Sequence, residues 1–186
     1  NYGLEPGIPN LYSLKVLCSV LEKRGLTDFP IHLKLDTGMH RLGFMTDEID
    51  ELMDYLGTCR YVKVKSIYSH LAASDEPECD AFTTGQVELF QRNAEKISTI
   101  LPSKPLYHIL NSAGIERFPQ YQFDMVRLGI GIYGVSALPG NHLCPVASFK
   151  CKVLQVKKLQ PSDGTVGYGR HGEIAPEGTV VATIPV

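Results

Sequence analysis

Ile31-His-Leu-Lys-Leu-Asp-Thr37 alternates apolar and polar side chains with a period of two, and a glycine-bounded stretch, Gly38 to Gly43, follows it. The alternation predicts a strand and the glycines a loop. From about Thr46 a helix is expected, with Asp47 and Glu48 in the first turn, where carboxylates suit the helix dipole. Strand, loop and helix make one β/α unit.

The unit repeats downstream. Val62 to Leu71 reads as a strand, Ala72 to Glu78 as its loop and Ala81 to Leu101 as a long helix. Leu106 to Asn111 is the next strand, Ser112 to Phe118 a short helical stretch, and Met125 to Tyr133 a further, glycine-rich strand. Strands separated by helices must run parallel, because parallel neighbours need crossover connections. Upstream, Leu11, Leu14, Val16, Leu17, Val20 and Leu21 recur at helical steps before Gly25, so the residues ahead of Ile31 are expected to hold one helix only. The four units fill Ile31 to Gly134 at about 26 residues each, and eight such units would approach the roughly 250 of a closed barrel.

After Ala137 the pattern changes. Val146 to Gln160, Thr165 to Tyr168 and Thr179 to Val186 are β-rich, with Leu138-Pro-Gly-Asn-His142 as the connecting loop. The expectation is an α/β fold: residues 1–137 form the C-terminal half of a (β/α)8 barrel, and 138–186 the start of an all-β domain. An open half-barrel leaves strand edges unpaired, so the rest of the barrel is expected on the N-terminal side, and Asn1 reads as a cut edge.

Composition bounds the function. The 186 residues carry 18 Lys+Arg against 20 Asp+Glu, a net charge of −2, which gives no basic surplus for nucleic acid or an anionic membrane. No apolar run approaches a membrane span. A small molecule or another protein is the expected partner. Cys18, Cys59, Cys79, Cys144 and Cys151 are odd in number and include no Cys-x-x-Cys pair, which argues against a disulfide framework or a zinc ribbon and for a reducing, cytoplasmic compartment. No metal is expected.

In β/α barrels the chemistry sits at the C-terminal ends of the strands. Arg127-Leu-Gly-Ile-Gly-Ile-Tyr-Gly134 joins a cation to glycines that let backbone N–H groups approach an anion, with the Ser112 hydroxyl at the preceding strand end. That pattern is a phosphate cradle or a tight turn. His70 ends an apolar strand as a site residue or a satisfied core histidine, and Lys34 and Arg41 flank one loop as site cations or a solvated pair. Tyr168 in Val166-Gly-Tyr-Gly-Arg170 is sheet packing, or a phenol exposed by a glycine turn.

Lys34-Leu-Asp-Thr-Gly-Met-His-Arg-Leu-Gly43, Ser69-His-Leu-Ala-Ala-Ser-Asp-Glu76, His108-Ile-Leu-Asn-Ser-Ala113, Met125-Val-Arg-Leu-Gly-Ile-Gly-Ile-Tyr-Gly134 and Gly167-Tyr-Gly169 occur in the order and spacing of bacterial alanine racemases. The chain resembles this family of fold-type III pyridoxal-phosphate enzymes. The resemblance implies a barrel followed by a β-domain, a head-to-tail homodimer with shared active sites, and interconversion of L- and D-alanine, which supplies D-alanine for peptidoglycan.

It also implies roles, residue by residue. Arg127 resembles the arginine that meets the cofactor's pyridine nitrogen, and His70 the histidine that links Arg127 to the catalytic tyrosine. Ser112, Gly129 and Ile130 resemble phosphate ligands, the last two through backbone N–H groups. Arg41 resembles the arginine at the cofactor's phenolic oxygen, Lys34 the lysine often carbamylated to hold it, and Asn111 a supporting amide. Tyr168 resembles the base contributed across the dimer interface. The implied catalytic set is Tyr168, Arg127, His70 and Arg41.

One family feature is absent. The lysine that bonds the cofactor sits in a Lys-Ala-x-Ala-Tyr-Gly context, which none of the eleven lysines has, so the isolated chain is expected to be inactive. Later β-domain segments are missing too. The alternatives are a non-catalytic pyridoxal-phosphate-binding barrel, a basic amino-acid decarboxylase of the same fold type, and an inactive module of a cell-wall ligase/racemase fusion; serine racemases share the motifs.

Overall fold

The computed structural model of the chain describes residues 3–140 and 143–186, so Asn1, read as a cut edge, and Asn141 and His142 of the expected connecting loop lie outside the described residues. It divides into two compact units, Asn1–Val146 and Ala147–Val186.

The first unit runs β1 (Gly7–Ile8), α1 (Leu11–Lys23), β2 (Phe29–Lys34), α2 (Ile49–Thr58), β3 (Val62–Tyr68), α3 (Asp80–Ser98), β4 (Leu106–His108) and α4 (Ser112–Arg117). Its strands form one parallel sheet in the order β1-β2-β3-β4. The register lines up Ile8 with Leu33, Leu33 with Ile67, and Ile67 with Tyr107. A helix precedes each new strand, as a parallel crossover demands.

α1 begins where the Asn10 side-chain oxygen accepts the Ser13 N–H at 2.8 Å. It ends with Gly25 N–H on the Glu22 carbonyl and Leu26 N–H on the Leu21 carbonyl, both at 3.0 Å, the paired bonds of a Schellman cap. Its buried residues, Leu14, Cys18 and Leu21, share one helical face. Leu14 and Cys18, together with Leu52 of α2 and Val87, Phe90 and Ile97 of α3, join Leu33 and Ile67 of the sheet in one core. Each such side chain contributes about 1.5–3 kcal/mol of burial.

Because strand side chains alternate, the opposite register row is polar: Lys34 of β2 pairs with Tyr68 of β3, and Tyr68 with His108 of β4. This face carries the candidate site.

Four expectations need correction, and the fourth, on Val146 to Gln160, is taken with the second unit. The segment ahead of Ile31 holds a strand as well as a helix, since β1 pairs with β2; two residues are too few to leave a periodic signal. Met125 to Tyr133 is not a strand. Asp124 N–H reaches the Tyr107 carbonyl at 3.1 Å and Arg127 N–H the Leu110 carbonyl at 3.0 Å, but Ile130–Tyr133 then coils into a 3-10 turn. The N–H groups of Gly129 and Gly131 are drawn onto the Ser112 hydroxyl instead of into a ladder. Thr165 to Tyr168 is not a strand either, because Gly167 (φ 79°) and Gly169 (φ 66°) turn the chain and leave a single bridge, Val166 to Gly172.

The second unit is a two-stranded antiparallel sheet of β5 (Gln155–Leu159) and β6 (Thr179–Thr183), with Lys157 opposite Val181. Of the expected strand from Val146 to Gln160, only the last part is regular. No described helix is long and apolar enough to cross a membrane.

Candidate functional site

Arg127 arrives beside the C-terminal ends of β3 and β4 on the segment after α4 and is gripped there. Nη1 donates to His108 Nδ1 at 2.6 Å and to the His108 carbonyl at 3.1 Å. Nη2 donates to the Ile109 carbonyl at 3.1 Å and to the Ser69 carbonyl, and lies 3.5 Å from His70 Nδ1. The guanidinium also sits 5.3 Å from the Tyr68 ring centroid. Of its five N–H donors, Nε–H alone has no acceptor among the described residues, so that edge is left to face a ligand.

Behind Arg127 runs a chain of hydrogen bonds along the polar face of the sheet. Burial, the Arg127 cation and His32 push the His108 imidazole down to about 4, so it is neutral near pH 7. Since Nδ1 accepts from Arg127, its proton is on Nε2, which donates to Ser66 Oγ at 2.9 Å. Ser66 then donates to His32 Nδ1 at 2.7 Å, and His32 Nε2–H to Glu5 at 3.0 Å. Tyr68 stacks on His108 with ring planes 3° apart and centroids at 5.1 Å. Each member fixes the next, from Glu5 to the guanidinium.

At the end of β2, Lys34 and Asp36 are buried and the loop beyond them carries the exposed Arg41. Burial first, then the Arg41 and Arg127 cations, lowers the Lys34 ammonium below the ordinary lysine range. Burial alone would raise the Asp36 carboxyl, but the N–H groups of Gly38 and His40, each 3.0 Å from Oδ1, hold it low. The loop is pinned at its other end by Gly43, where an added Cβ would lie 2.5 Å from Asp36 N and 2.6 Å from Leu35 C. Only glycine fits so close an approach. His70 is lowered by burial and then by Arg127, Arg41 and Lys34, which brings all three cations to bear on one neutral imidazole.

Asn111 and Ser112 stand three and four residues beyond β4, at the start of α4. Asn111 caps α4, its Oδ1 accepting Gly114 N–H at 2.9 Å and the Ser74 hydroxyl at 2.7 Å, which ties α4 to the loop after β3. Ser112 Oγ accepts the N–H groups of Gly129 at 2.9 Å and Gly131 at 3.0 Å. A Cβ at Gly131 would stand 2.9 Å from Leu128 Cδ1 and 3.3 Å from Ser112 Oγ, so a side chain there would displace the end of Leu128 and press on the Ser112 hydroxyl. The Ile130 N–H has no partner among the described residues.

These groups converge. His70, Asn111, Ser112, Arg127, Gly129 and Ile130 line one cavity of about 390 Å³, with Asp75, Ala113 and Leu128. Its size falls within the ~300–1,000 Å³ usual for a small-molecule site. Lys34 and Arg41 flank it electrostatically without lining it. Tyr168 lies in the second unit with its phenol fully exposed between its two turn glycines.

Reading the sequence missed the residues that hold the site in place. His108 grips Arg127 more closely than His70 does. Gln86, buried on α3, accepts Ala72 N–H at 2.9 Å and donates to the His70 carbonyl at 3.2 Å. Arg117 pairs with Asp80 at 2.7 Å and reaches the Ser74 carbonyl at 2.7 Å. Two signals were readable: a Gln inside an apolar helical stripe, and His108 within its motif. Among the described residues no group of His, Cys, Asp or Glu is arranged to hold a metal ion.

The family model for the N-terminal domain of alanine racemase matches residues 1–137. Alanine racemase 1 of Oceanobacillus iheyensis is 37% identical over 163 residues, covering 84% of this chain and 42% of the relative. Alanine racemase 2 of Bacillus subtilis is 32% identical over 181 residues, covering 93% and 45%. The chain therefore spans about half the length of the curated relatives it matches. Among solved structures, alanine racemase from D-cycloserine-producing Streptomyces lavendulae superposes with a TM-score of 0.74 at 27% identity, covering 95% of this chain and 47% of that one. That of Bartonella henselae, with covalently bound pyridoxal phosphate, has a TM-score of 0.70 at 27% identity, covering 98% and 49%. The fold is thus the second half of a (β/α)8 barrel followed by the start of a β-domain.

Proposed function

Since this chain belongs to the alanine racemase family by its N-terminal-domain fold, we propose that it carries much of the cofactor site of an enzyme that interconverts L- and D-alanine with pyridoxal phosphate. The single observation behind this reading is the cavity in which Arg127, His70, Asn111, Ser112, Gly129 and Ile130 meet. We place the domain boundary after Ala137, where the family match ends.

The residues fit the cofactor. A phosphate dianion needs several donors: the Ser112 hydroxyl proton and the Ile130 N–H are available to it, and the Gly129 N–H, now on Ser112 Oγ, would turn to it on binding. Arg127 Nε–H is left to donate to the pyridine nitrogen, and Arg41 supplies the cation suited to the phenolic oxygen, with Lys34 behind it to hold that arginine. When bound, pyridoxal phosphate supplies the electron sink for the charge left when the α-proton departs.

What the chain's own side chains do follows from their bonding. A guanidinium does not give up its proton near neutral pH, so Arg127 holds the ring nitrogen by a hydrogen bond without protonating it and moderates the sink. His108, neutral and donating away from Arg127, keeps that guanidinium from turning. Tyr168 is the base for one face of the substrate, reached across a homodimer interface, and His70 connects it to Arg127; an unperturbed phenol near 10 needs such a cationic neighbourhood to act near pH 7. The second base is the covalent lysine, whose motif this chain lacks, so the isolated chain is inactive. Lys34 is a carbamylation site: a buried amine whose ammonium is disfavoured is the form that adds carbon dioxide.

In the cell the enzyme works in the cytoplasm and supplies D-alanine to peptidoglycan. Chiral chromatography after incubation with alanine and pyridoxal phosphate tests the reading. The chain alone should yield no D-alanine, and adding a fragment that carries the covalent lysine should restore some turnover. Racemisation by the chain alone, or none after demonstrated assembly, overturns it.

A further inference from the structure

We infer that Cys18 and Cys59 form a thiol pair that closes reversibly into a disulfide between α1 and α2, by exchange with an anionic low-molecular-weight disulfide admitted through the cavity beside Cys59.

The two Sγ atoms lie 3.4 Å apart, although 41 positions separate the residues in sequence. Cys18 sits on the buried stripe of α1 and is 2% exposed, whereas Cys59 is half-buried at the C-terminal cap of α2. A disulfide needs about 2.0 Å between the sulfurs, so closure takes a movement of roughly 1.4 Å. Cys59 can supply it, because its extended backbone (φ −89°, ψ 116°) has already left the helix.

Access is one-sided. Cys59 lines a cavity of about 620 Å³ at the N-terminal end of the sheet, opposite the candidate cofactor site, together with Leu56, Arg60, Lys63, Thr27 and Ser103. Arg60 and Lys63 outnumber Asp28, the acidic residue in the same lining, and leave the cavity net cationic, which suits a carboxylate-bearing reagent. Cys18 does not line it. Burial pushes the Cys18 thiol up to about 11, so the first attack belongs to Cys59.

In the first step the Cys59 thiolate attacks one sulfur of R–S–S–R; the Cys59–S–S–R bond forms, the reagent's S–S bond breaks, and one RS⁻ leaves. In the second the Cys18 thiolate attacks Cys59 Sγ, forming the Cys18–Cys59 bond and expelling the second RS⁻. The two cysteines are oxidised, the reagent is reduced to two thiols, and the two cysteine protons end on those thiols. The product ties together the first two helices of the unit and restricts the unfolded chain.

The experiment is a peptide map of the purified protein after exposure to oxidised glutathione and alkylation of the remaining thiols. The expected result is a cross-linked peptide joining Cys18 and Cys59 that dithiothreitol removes, and a thermal midpoint that rises on oxidation and falls back on reduction. In Cys18→Ser, Cys59 should keep a stable glutathione adduct. In Cys59→Ser, Cys18 should stay unmodified after the exposed Cys144 and Cys151 have reacted. If Cys18→Ser does not fold, Cys18→Ala and the wild-type map carry the test. Finding Cys18 and Cys59 unlinked once Cys144 and Cys151 are modified, or finding Cys18 modified directly in Cys59→Ser, overturns the proposal.

Discussion

Arg127 Nη1 lies 2.6 Å from His108 Nδ1, while His70 Nδ1 stands 3.5 Å from Nη2, so the histidine that positions the guanidinium belongs to β4 and not to the end of β3. Through Ser66 and His32 that grip extends to Glu5, ahead of the first helix. Strand alternation makes it possible, because His32, Ser66 and His108 share the sheet face that the apolar core leaves free.

If the proposed function holds, His108→Phe in the chain assembled with the fragment that carries the covalent lysine should lower kcat for alanine about 10- to 100-fold with little change in KM, the size expected when an outer partner of a reacting group is lost. His108→Gln keeps a side-chain acceptor for Nη1 and should recover part of that loss. Steady-state kinetics of the two variants distinguish positioning from mere destabilisation, since recovery by Gln needs an acceptor and not a ring.

The same imidazole makes folding sensitive to acid. His108 titrates at about 4 in the fold against an ordinary 6.5, so between those values the unfolded chain binds more protons and stability rises with pH. That stability is complete above about 6.5 and is lost as pH falls toward 4, by up to roughly 3 kcal/mol. His70, also lowered, adds in the same direction. Urea unfolding at a series of pH values should show this slope in wild type and a shallower one in His108→Gln.

Lys34 should carry a carbamate when the protein is equilibrated with ¹³C-labelled carbon dioxide. Its ammonium is disfavoured by burial and two arginines, and the carbamate replaces a cation with an anion beside Arg41. A protein-bound carbamate signal in ¹³C spectra that disappears in Lys34→Met is expected; a signal that persists would assign the modification elsewhere.

Tyr168→Phe keeps the ring and removes the hydroxyl. If Tyr168 serves the L face, then in the chain assembled with the fragment that carries the covalent lysine α-hydrogen exchange from L-alanine in deuterated water should fall by roughly 10²- to 10⁴-fold while exchange from D-alanine survives. Net racemisation in both directions should fall together. Equal loss of exchange from both enantiomers would remove Tyr168 from its role as one of two bases.

Much of this was legible in the sequence because it is periodic. Ile31 to Thr37 and Val62 to Leu71 alternate over enough residues to declare strands, and Leu14, Leu17 and Leu21 recur at helical steps. β1 is two residues long and leaves no period. Met125 to Tyr133 reads as a strand in composition, yet two glycine N–H groups find the Ser112 hydroxyl, a tertiary bond that no local pattern encodes. His108 was visible within a motif, but its grip on Arg127 depends on parallel register between β3 and β4 and on the chain's return after α4. The strand-end residues could be listed from sequence; which of them touch could not.

The most direct test of the site is an equilibrium titration of the protein with pyridoxal phosphate, followed through the cofactor's absorbance, in wild type, Ser112→Ala and Gly131→Val. Ser112→Ala deletes the hydroxyl that gathers the Gly129 and Gly131 N–H groups, and Gly131→Val fills the close approach to it. Saturable binding by wild type, with the dissociation constant raised about tenfold or more in each variant, is the predicted result, since a hydrogen bond to a charged group contributes about 1.5–3 kcal/mol. Equal affinity in all three proteins, or no saturable binding by wild type, would contradict the assignment of this cavity to the cofactor.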